Sequence, residues 1–245
     1  MWYPNGIIPA LKPVFPTFAG RKAIFSNSNR QSLHLSMNTT EPAGRKVIII
    51  LGLLMTISPF AIDMYLPAFG QIALEMGTTT SRISLSVASY FIGLAIGQLM
   101  YGPMLDRFGR KKPLYAGLSL FMLASLGCMQ ANSVTALTTF RFFQALGGCV
   151  AWVAAATMVR DFFPINEASK VFSLLILVLG LSPLVAPTAG GFVAVASGWR
   201  TIFLCLVALV AIVMAVVILF LPPARPADPT VDLRPVPMLK TFYSI

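Results

Sequence analysis

Six apolar stretches, each about as long as a helix that crosses a bilayer, dominate this chain of 245 residues. A transmembrane helix needs about 20 apolar residues, because backbone polar groups in lipid must be hydrogen-bonded within the protein. Hydrophobic residues make up 57% of the chain and charged residues only 11%, against about 25% charged residues in soluble domains. We therefore predict an all-α membrane protein whose spans 1 to 6 cover about 46–68, 83–104, 112–132, 136–159, 168–195 and 200–221.

The segments outside the spans divide the rest of the chain. Residues 1–36 contain four prolines among polar residues, and prolines at this density prevent a regular helix. We predict that 1–36 is an unstructured extension upstream of the natural start at Met37. Residues 37–222 then form the six-span unit, and the proline-rich stretch 223–245 is a cytoplasmic linker.

The positive charge of the chain predicts its orientation in the membrane. The net charge is +10, but the basic residues lie at the ends of spans and in the tails. The loop between spans 2 and 3 carries four of them, whereas the opposite face carries only Arg82 and Arg200. Because cytoplasmic loops retain Lys and Arg, both termini should face the cytoplasm. Nucleic-acid binding is not expected, since it requires a continuous basic patch.

Two charged residues stand well inside spans: Asp63 in span 1 and Arg141 in span 4. Each costs at least about 2.5–3.5 kcal/mol at the centre of a span, so such residues are functional candidates by default. Asp63 lies between Pro59 and Pro67, which free backbone carbonyls. Two alternatives remain open. The two charges could pair with each other or with backbone merely to hold helices together, and Arg141 could extend its stem to the membrane interface.

The sequence offers little for catalysis or metal binding. Cys128, Cys149 and Cys205 fall inside apolar stretches without metal-ligand spacing, and the single histidine, His34, lies in a polar tail. No nucleophile–base pair occurs within the spans. We predict no enzyme activity, no catalytic residues, no cofactor and no metal.

Glycine and proline mark where helices approach or bend. The motif Gly93-x-x-x-Gly97 in span 2 predicts a close helix contact. Span 5 combines Pro183, Pro187, Gly190 and Gly191. This combination indicates a bent helix that moves or lines a cavity, although Gly and Pro are also generally enriched in transmembrane helices.

Four segments carry a family resemblance. Gly102–Lys112 has the pattern G-x-x-x-D-R-x-G-R-K-x and resembles the signature loop between spans 2 and 3 of the major facilitator superfamily. Leu137–Gly147 resembles its arginine-bearing motif, and Ala186–Gly191 resembles its antiporter motif, with Ala186 where glycine is usual. Ile62–Ala68 resembles the Bcr/CflA group of multidrug efflux proteins, which includes bicyclomycin resistance proteins.

The resemblance implies twelve spans in two halves, a central cavity and proton-driven export. Asp63 would respond to a proton or a cationic substrate, and Arg141 would couple protonation to the cavity. The implied cytoplasmic gate comprises Gly102, Asp106, Arg107, Gly109, Arg110 and Lys111. The residues that bend span 5 would be Pro187, Gly190 and Gly191, and the candidate cavity residues are Tyr65, Gln144 and Trp152.

Only six spans are present, so the chain corresponds to an N-terminal half. We expect either a truncated copy of a transporter or a chain that pairs with a second copy, and favour truncation. The expected function is efflux of drugs or other small molecules in exchange for protons across a bacterial inner membrane. This half-length chain should be inactive by itself. The alternatives are a nutrient transporter of the same fold and a membrane protein that interacts with partners without transporting.

Overall fold

The computed structural model describes residues 42–222, so the predicted extension 1–36 and linker 223–245 lie outside the described residues. Six helical segments are long and apolar enough to cross a membrane, and residues 42–222 contain no strand. This confirms the predicted fold class. The segments are Gly44–Glu75, Thr80–Phe108, Lys111–Met129, Val134–Phe162, Ile165–Ser197 and Arg200–Phe220.

Span 4 is the central helix of the bundle and packs closely against spans 2 and 3. A Cβ added at Gly93 would lie 2.5 Å from the carbonyl oxygen of Phe142, and one added at Gly97 would lie 2.8 Å from the Cβ of Cys149. On the span 3 side, a Cβ at Gly147 would lie 2.5 Å from the backbone nitrogen of Phe121. The close contact predicted from the Gly93-x-x-x-Gly97 motif is therefore confirmed, because no larger side chain fits at either position.

Span 1 is longer than predicted and is interrupted. Its first helix, Pro42–Asp63, ends at the acidic residue, and a short 3-10 turn, Leu66–Ala68, follows. A second helix, Phe69–Glu75, completes the span. The prediction placed the end of this span at about residue 68, and the helix Phe69–Glu75 was not expected.

The interruption follows from the hydrogen bonds around Pro67. Proline has no N–H, so it cannot donate to the carbonyl of Asp63 four residues earlier. The N–H of Tyr65 bonds to the carbonyl of Ile62 at 3.2 Å, rather than to that of Ala61. The carbonyl of Ala61 therefore loses its usual helical donor in the middle of a membrane span. We call residues Asp63–Pro67 the span 1 break.

Candidate functional site

A cavity of about 370 Å³ opens between spans 1, 2 and 4 beside the span 1 break. Its volume falls within the range of small-molecule sites. Asp63 is half-buried and is the one charged group among the residues that line this cavity. Other lining side chains are apolar, aromatic or neutral and polar, including Ser58, Phe91, Gln98 and Trp152.

Asp63 and Arg141 form no ion pair with each other among the contacts of the described residues. The carboxylate of Asp63 instead accepts a hydrogen bond from the hydroxyl of Ser182 in span 5, at 3.4 Å. Of the alternatives left open by the sequence, direct pairing is therefore not what the structure shows.

Arg141 is held inside the bundle by span 1 and by two aromatic rings. Its side chain has no exposed surface, so it does not extend to the membrane interface. The Nη1 atom donates to the backbone carbonyl of Ala61 at 3.0 Å and to Oε1 of Gln144 at 2.7 Å. Its Cζ atom lies 4.5 Å and 4.4 Å from the ring centroids of Tyr65 and Tyr90, a distance at which the ring faces attract a cation. The cation thus replaces the helical donor that the carbonyl of Ala61 lost.

A buried polar network continues from Arg141 into spans 2 and 3. Gln144 donates through Nε2 to the hydroxyl of Ser125 at 2.7 Å, and Ser125 donates to the carbonyl of Phe121 at 2.7 Å. The hydroxyls of Tyr65 and Ser86 are hydrogen-bonded at 2.9 Å. Because buried polar groups are costly when unpaired, this network fixes how four helices meet around the span 1 break.

The three residues predicted to line a cavity have different environments. Tyr65 and Gln144 have no exposed surface and belong to the network below the cavity. Trp152 is 37% exposed and lines the cavity with Asp63.

Span 5 packs directly on the span 1 break. Its helix runs through Pro183 and Pro187 without interruption. A Cβ added at Gly190 would lie 2.6 Å from the Cα of Met64, and one added at Gly191 would lie 3.6 Å from the Cβ of Pro67. The glycines of the predicted antiporter motif therefore face the break.

The basic loop between spans 2 and 3 is fixed through Arg110, which is only 5% exposed. Its Nη1 atom donates to Asp106 at 2.7 Å and its Nε atom donates to Asp161 of span 4 at 2.8 Å. Burial by itself would lower the pKa of Arg110, but its hydrogen bonds to Asp161 and Asp106 outweigh this and raise the pKa above its ordinary value. Arg110 therefore stays charged, and Asp161 is a partner that was not among the predicted gate residues.

The other predicted gate residues surround this ion-pair cluster. Gly109 ends the span 2 helix with a φ of +79°, a conformation that favours glycine. Lys111 donates through Nζ to the carbonyl of Leu221, just after span 6, at 2.7 Å. Arg107 lies 5.8 Å from the ring centroid of Phe108, and a Cβ at Gly102 would meet no atom within 4 Å.

A second polar cluster, at the opposite end of the bundle, was not predicted. Glu75 ends span 1 and accepts hydrogen bonds from the indole N–H of Trp199 and from the guanidinium of Arg200. Arg200 also lies over the ring of Trp199, 4.3 Å from its centroid, and donates to Asn132 at 3.3 Å. The cluster connects span 1 to the turns before spans 4 and 6. Its sequence signal was one acid and one base near span ends, which is common in membrane proteins.

The charged part of the candidate site is one carboxylic acid. The described residues contain no group of three or more His, Cys, Asp or Glu side chains placed to hold a metal ion. What they contain is a single carboxylic acid on an open cavity, next to a backbone break held by a buried cation. A polytopic bundle with an ionisable residue on an internal cavity is typical of membrane transporters.

Sequence comparison identifies the family. The sequence profile of the Major Facilitator Superfamily matches residues 51–242, and the chain belongs to this superfamily. It is 36% identical over 176 residues to the bicyclomycin resistance protein homolog of Haemophilus influenzae, covering 72% of this chain and 44% of that protein. It is 31% identical over 182 residues to multidrug resistance protein D of Escherichia coli, covering 74% and 46%.

A third relative is the uncharacterized MFS-type transporter YdgK of Bacillus subtilis, which is 34% identical over 209 residues, covering 83% of this chain and 52% of that protein. The chain thus spans about half the length of the curated relatives that it matches. The predicted resemblance to this superfamily and to its bicyclomycin resistance group is confirmed.

Proposed function

We propose that this chain forms the N-terminal half of a proton-coupled exporter of drugs or similar small molecules in a bacterial inner membrane. Two of the relatives described above are named for bicyclomycin or multidrug resistance. The excess of basic residues in the loop between spans 2 and 3 supports a cytoplasmic position for that loop and for both termini.

Asp63 carries the proposal. It is the one charged group on a cavity of about 370 Å³, and it lies at the end of the first helix of span 1. Apolar surroundings favour the neutral form of a carboxylic acid, so a carboxylate on such a cavity can bind a proton. If proton and substrate both require this carboxylate, each lowers the affinity for the other by the same factor. That reciprocal exclusion is what exchange transport requires.

The relatives' greater length supports a second six-span half, or a second copy of the chain, as the partner. The cavity is bounded by spans 1, 2 and 4 of this chain alone, whereas alternating access requires a site between two bundles. We therefore expect the 245-residue chain to be inactive by itself and to regain transport when its partner half is supplied.

Proton-driven dye efflux in membrane vesicles tests the assignment. A version extended by a C-terminal six-span half should expel dye when a proton gradient is imposed, and Asp63→Asn should abolish the response to the gradient. Asp63→Glu should retain part of it, because the acid is kept. Unchanged coupling in Asp63→Asn would contradict the role assigned to Asp63, and dye uptake instead of efflux would favour a nutrient importer.

A further inference from the structure

Ser182 is the second polar group at the Asp63 site, and it comes from a different wall of the bundle. The residue is 1% exposed, and its hydroxyl donates to Oδ2 of Asp63 at 3.4 Å. Polar side chains that are buried in membrane spans are costly unless they are hydrogen-bonded. The hydroxyl of Ser182 therefore depends on Asp63 for its partner.

The direction of this hydrogen bond is unusual for a hydroxyl in a helix. Serine and threonine within helices commonly bond to a carbonyl one turn earlier in the same helix. In this chain the hydroxyls of Ser125, Ser173 and Thr188 all do so, each to the carbonyl four residues before. Ser182 instead reaches from span 5 to the side chain of span 1.

Ser182 lies on the same face of span 5 as the residues that pack against the span 1 break. The buried positions in the second half of span 5 recur every four residues and are Ser182, Ala186, Gly190 and Ala194. Gly190 on this face lies against the backbone of Met64, the residue after Asp63. Span 5 therefore touches span 1 both at the carboxylate and at the adjacent backbone.

We propose that Ser182 is a positioning residue for Asp63, and that its hydrogen bond makes the strength of the contact between spans 1 and 5 depend on whether the carboxyl group carries a proton. This rests on the proposed function, in which Asp63 exchanges protons. A hydrogen bond to a carboxylate is stronger than one between neutral groups, so protonation of Asp63 weakens this contact between spans 1 and 5. Among the described residues, Arg141 lies over the ring of Tyr65 in the break and binds the carbonyl of Ala61 just before it, and not the carboxylate. The titratable groups beside Asp63 are Tyr65 in the break and Cys149 on the same cavity.

Infrared difference spectroscopy of the purified chain in lipid, between alkaline and acidic buffer, tests the contact without requiring transport. The carbonyl band of protonated Asp63 is the band that disappears in Asp63→Asn. Ser182→Ala should move this band to higher frequency, because a hydrogen bond to the carboxyl group is lost, and Ser182→Thr should restore it. Ser173→Ala is the matched control on the same helix, since that hydroxyl is exposed and bonds to Ser169.

A double-mutant comparison of thermal unfolding supplies the second measurement. Ser182→Ala should lower the apparent Tm of the parent chain by more than that of the Asp63→Asn chain, in which a neutral amide oxygen replaces the charged acceptor. An unmoved carbonyl band in Ser182→Ala, or an equal loss of Tm in both backgrounds, would show that Ser182 merely fills space and would overturn the proposal. A moved band together with unchanged efflux coupling in Asp63→Asn would support the contact and refute the proposed function.

Discussion

Replacing Gly190 by alanine should disrupt the contact between span 5 and the span 1 break. An added Cβ would lie 2.6 Å from the Cα of Met64 and 2.7 Å from its carbonyl carbon, and closer still to its carbonyl oxygen. Ordinary van der Waals contacts of a Cβ begin at about 3.4 Å. Because all three of these atoms belong to the backbone, no side-chain rotation relieves the overlap, and one of the two spans must shift.

The expected cost follows from two opposing effects. Overpacking a well-packed site costs about 1–3 kcal/mol, and an overlap with backbone atoms belongs at the upper end. Alanine in place of glycine within a helix returns about 1 kcal/mol. The net loss of stability is therefore about 2 kcal/mol, which raises the fraction of opened molecules about 30-fold.

The buried cysteines provide the assay. Cys128 has no exposed surface and is not among the residues that line the cavity, so a thiol-reactive dye labels it only when the bundle opens. Cys149 is buried but lines the cavity, so the labelling of Cys128 is the rate to follow. Cys205 is partly exposed and contributes an early, constant background. When reclosing is faster than labelling, the slow labelling rate follows the population of the open state, and Gly190→Ala should accelerate it about 30-fold.

Gly180→Ala is the matched control on the same helix. A Cβ at Gly180 would meet no atom within 4 Å, so this substitution gains helix stability without overlap, and labelling should slow slightly. If Gly190→Ala labels as slowly as Gly180→Ala, spans 1 and 5 do not touch at Met64 and the reasoning is refuted.

Two further predictions concern the cytoplasmic cluster and the cavity. Asp161→Asn should destabilise the chain by about 3 kcal/mol, because it leaves the buried guanidinium of Arg110 without its main counter-charge. Asp106→Asn should cost about 1 kcal/mol or less, because the carboxylate of Asp106 is 51% exposed. Equal thiol-labelling rates in the two variants would contradict this difference. Dye binding should quench the fluorescence of Trp152, which lines the cavity, so Trp152→Phe should lose most of the quenching and Trp199→Phe, at a position 1% exposed, should keep it. Equal losses in both variants would place the dye elsewhere.

The spans and the two intramembrane charges were predictable because both follow from the cost of polar groups in lipid. A length of about 20 apolar residues is enough to indicate each span, and any charge inside one stands out. The partners of those charges were not predictable in the same way. Arg141 binds the carbonyl of Ala61, and that carbonyl is free because the N–H of Tyr65 bonds to the carbonyl of Ile62 instead.

Ser182 and Asp161 show two different reasons why site residues are missed. A serine in an apolar span is ordinary in composition, and nothing in the sequence of span 5 indicates that Ser182 contacts Asp63 and Ser173 does not. Asp161 lies 51 residues from Arg110, at the end of a span where charged residues are common. Asp161 could have been predicted only from its partner, because Arg110 requires a second acid only if it is buried. That burial depends on how spans 2 and 4 pack.

The separation of Arg141 from Asp63 decides which helix should respond to a proton. An unpaired carbonyl is costly in lipid, and in this structure Nη1 of Arg141 supplies the missing donor to the carbonyl of Ala61. That contact involves no titrating group, so protonation of Asp63 leaves it intact. The contact that does involve the carboxylate is the one from Ser182, and protonation weakens it. When Asp63 takes up a proton, the contact of span 4 with span 1 should therefore stay unchanged while the contact of span 5 with span 1 weakens, which makes span 5 the helix expected to move first.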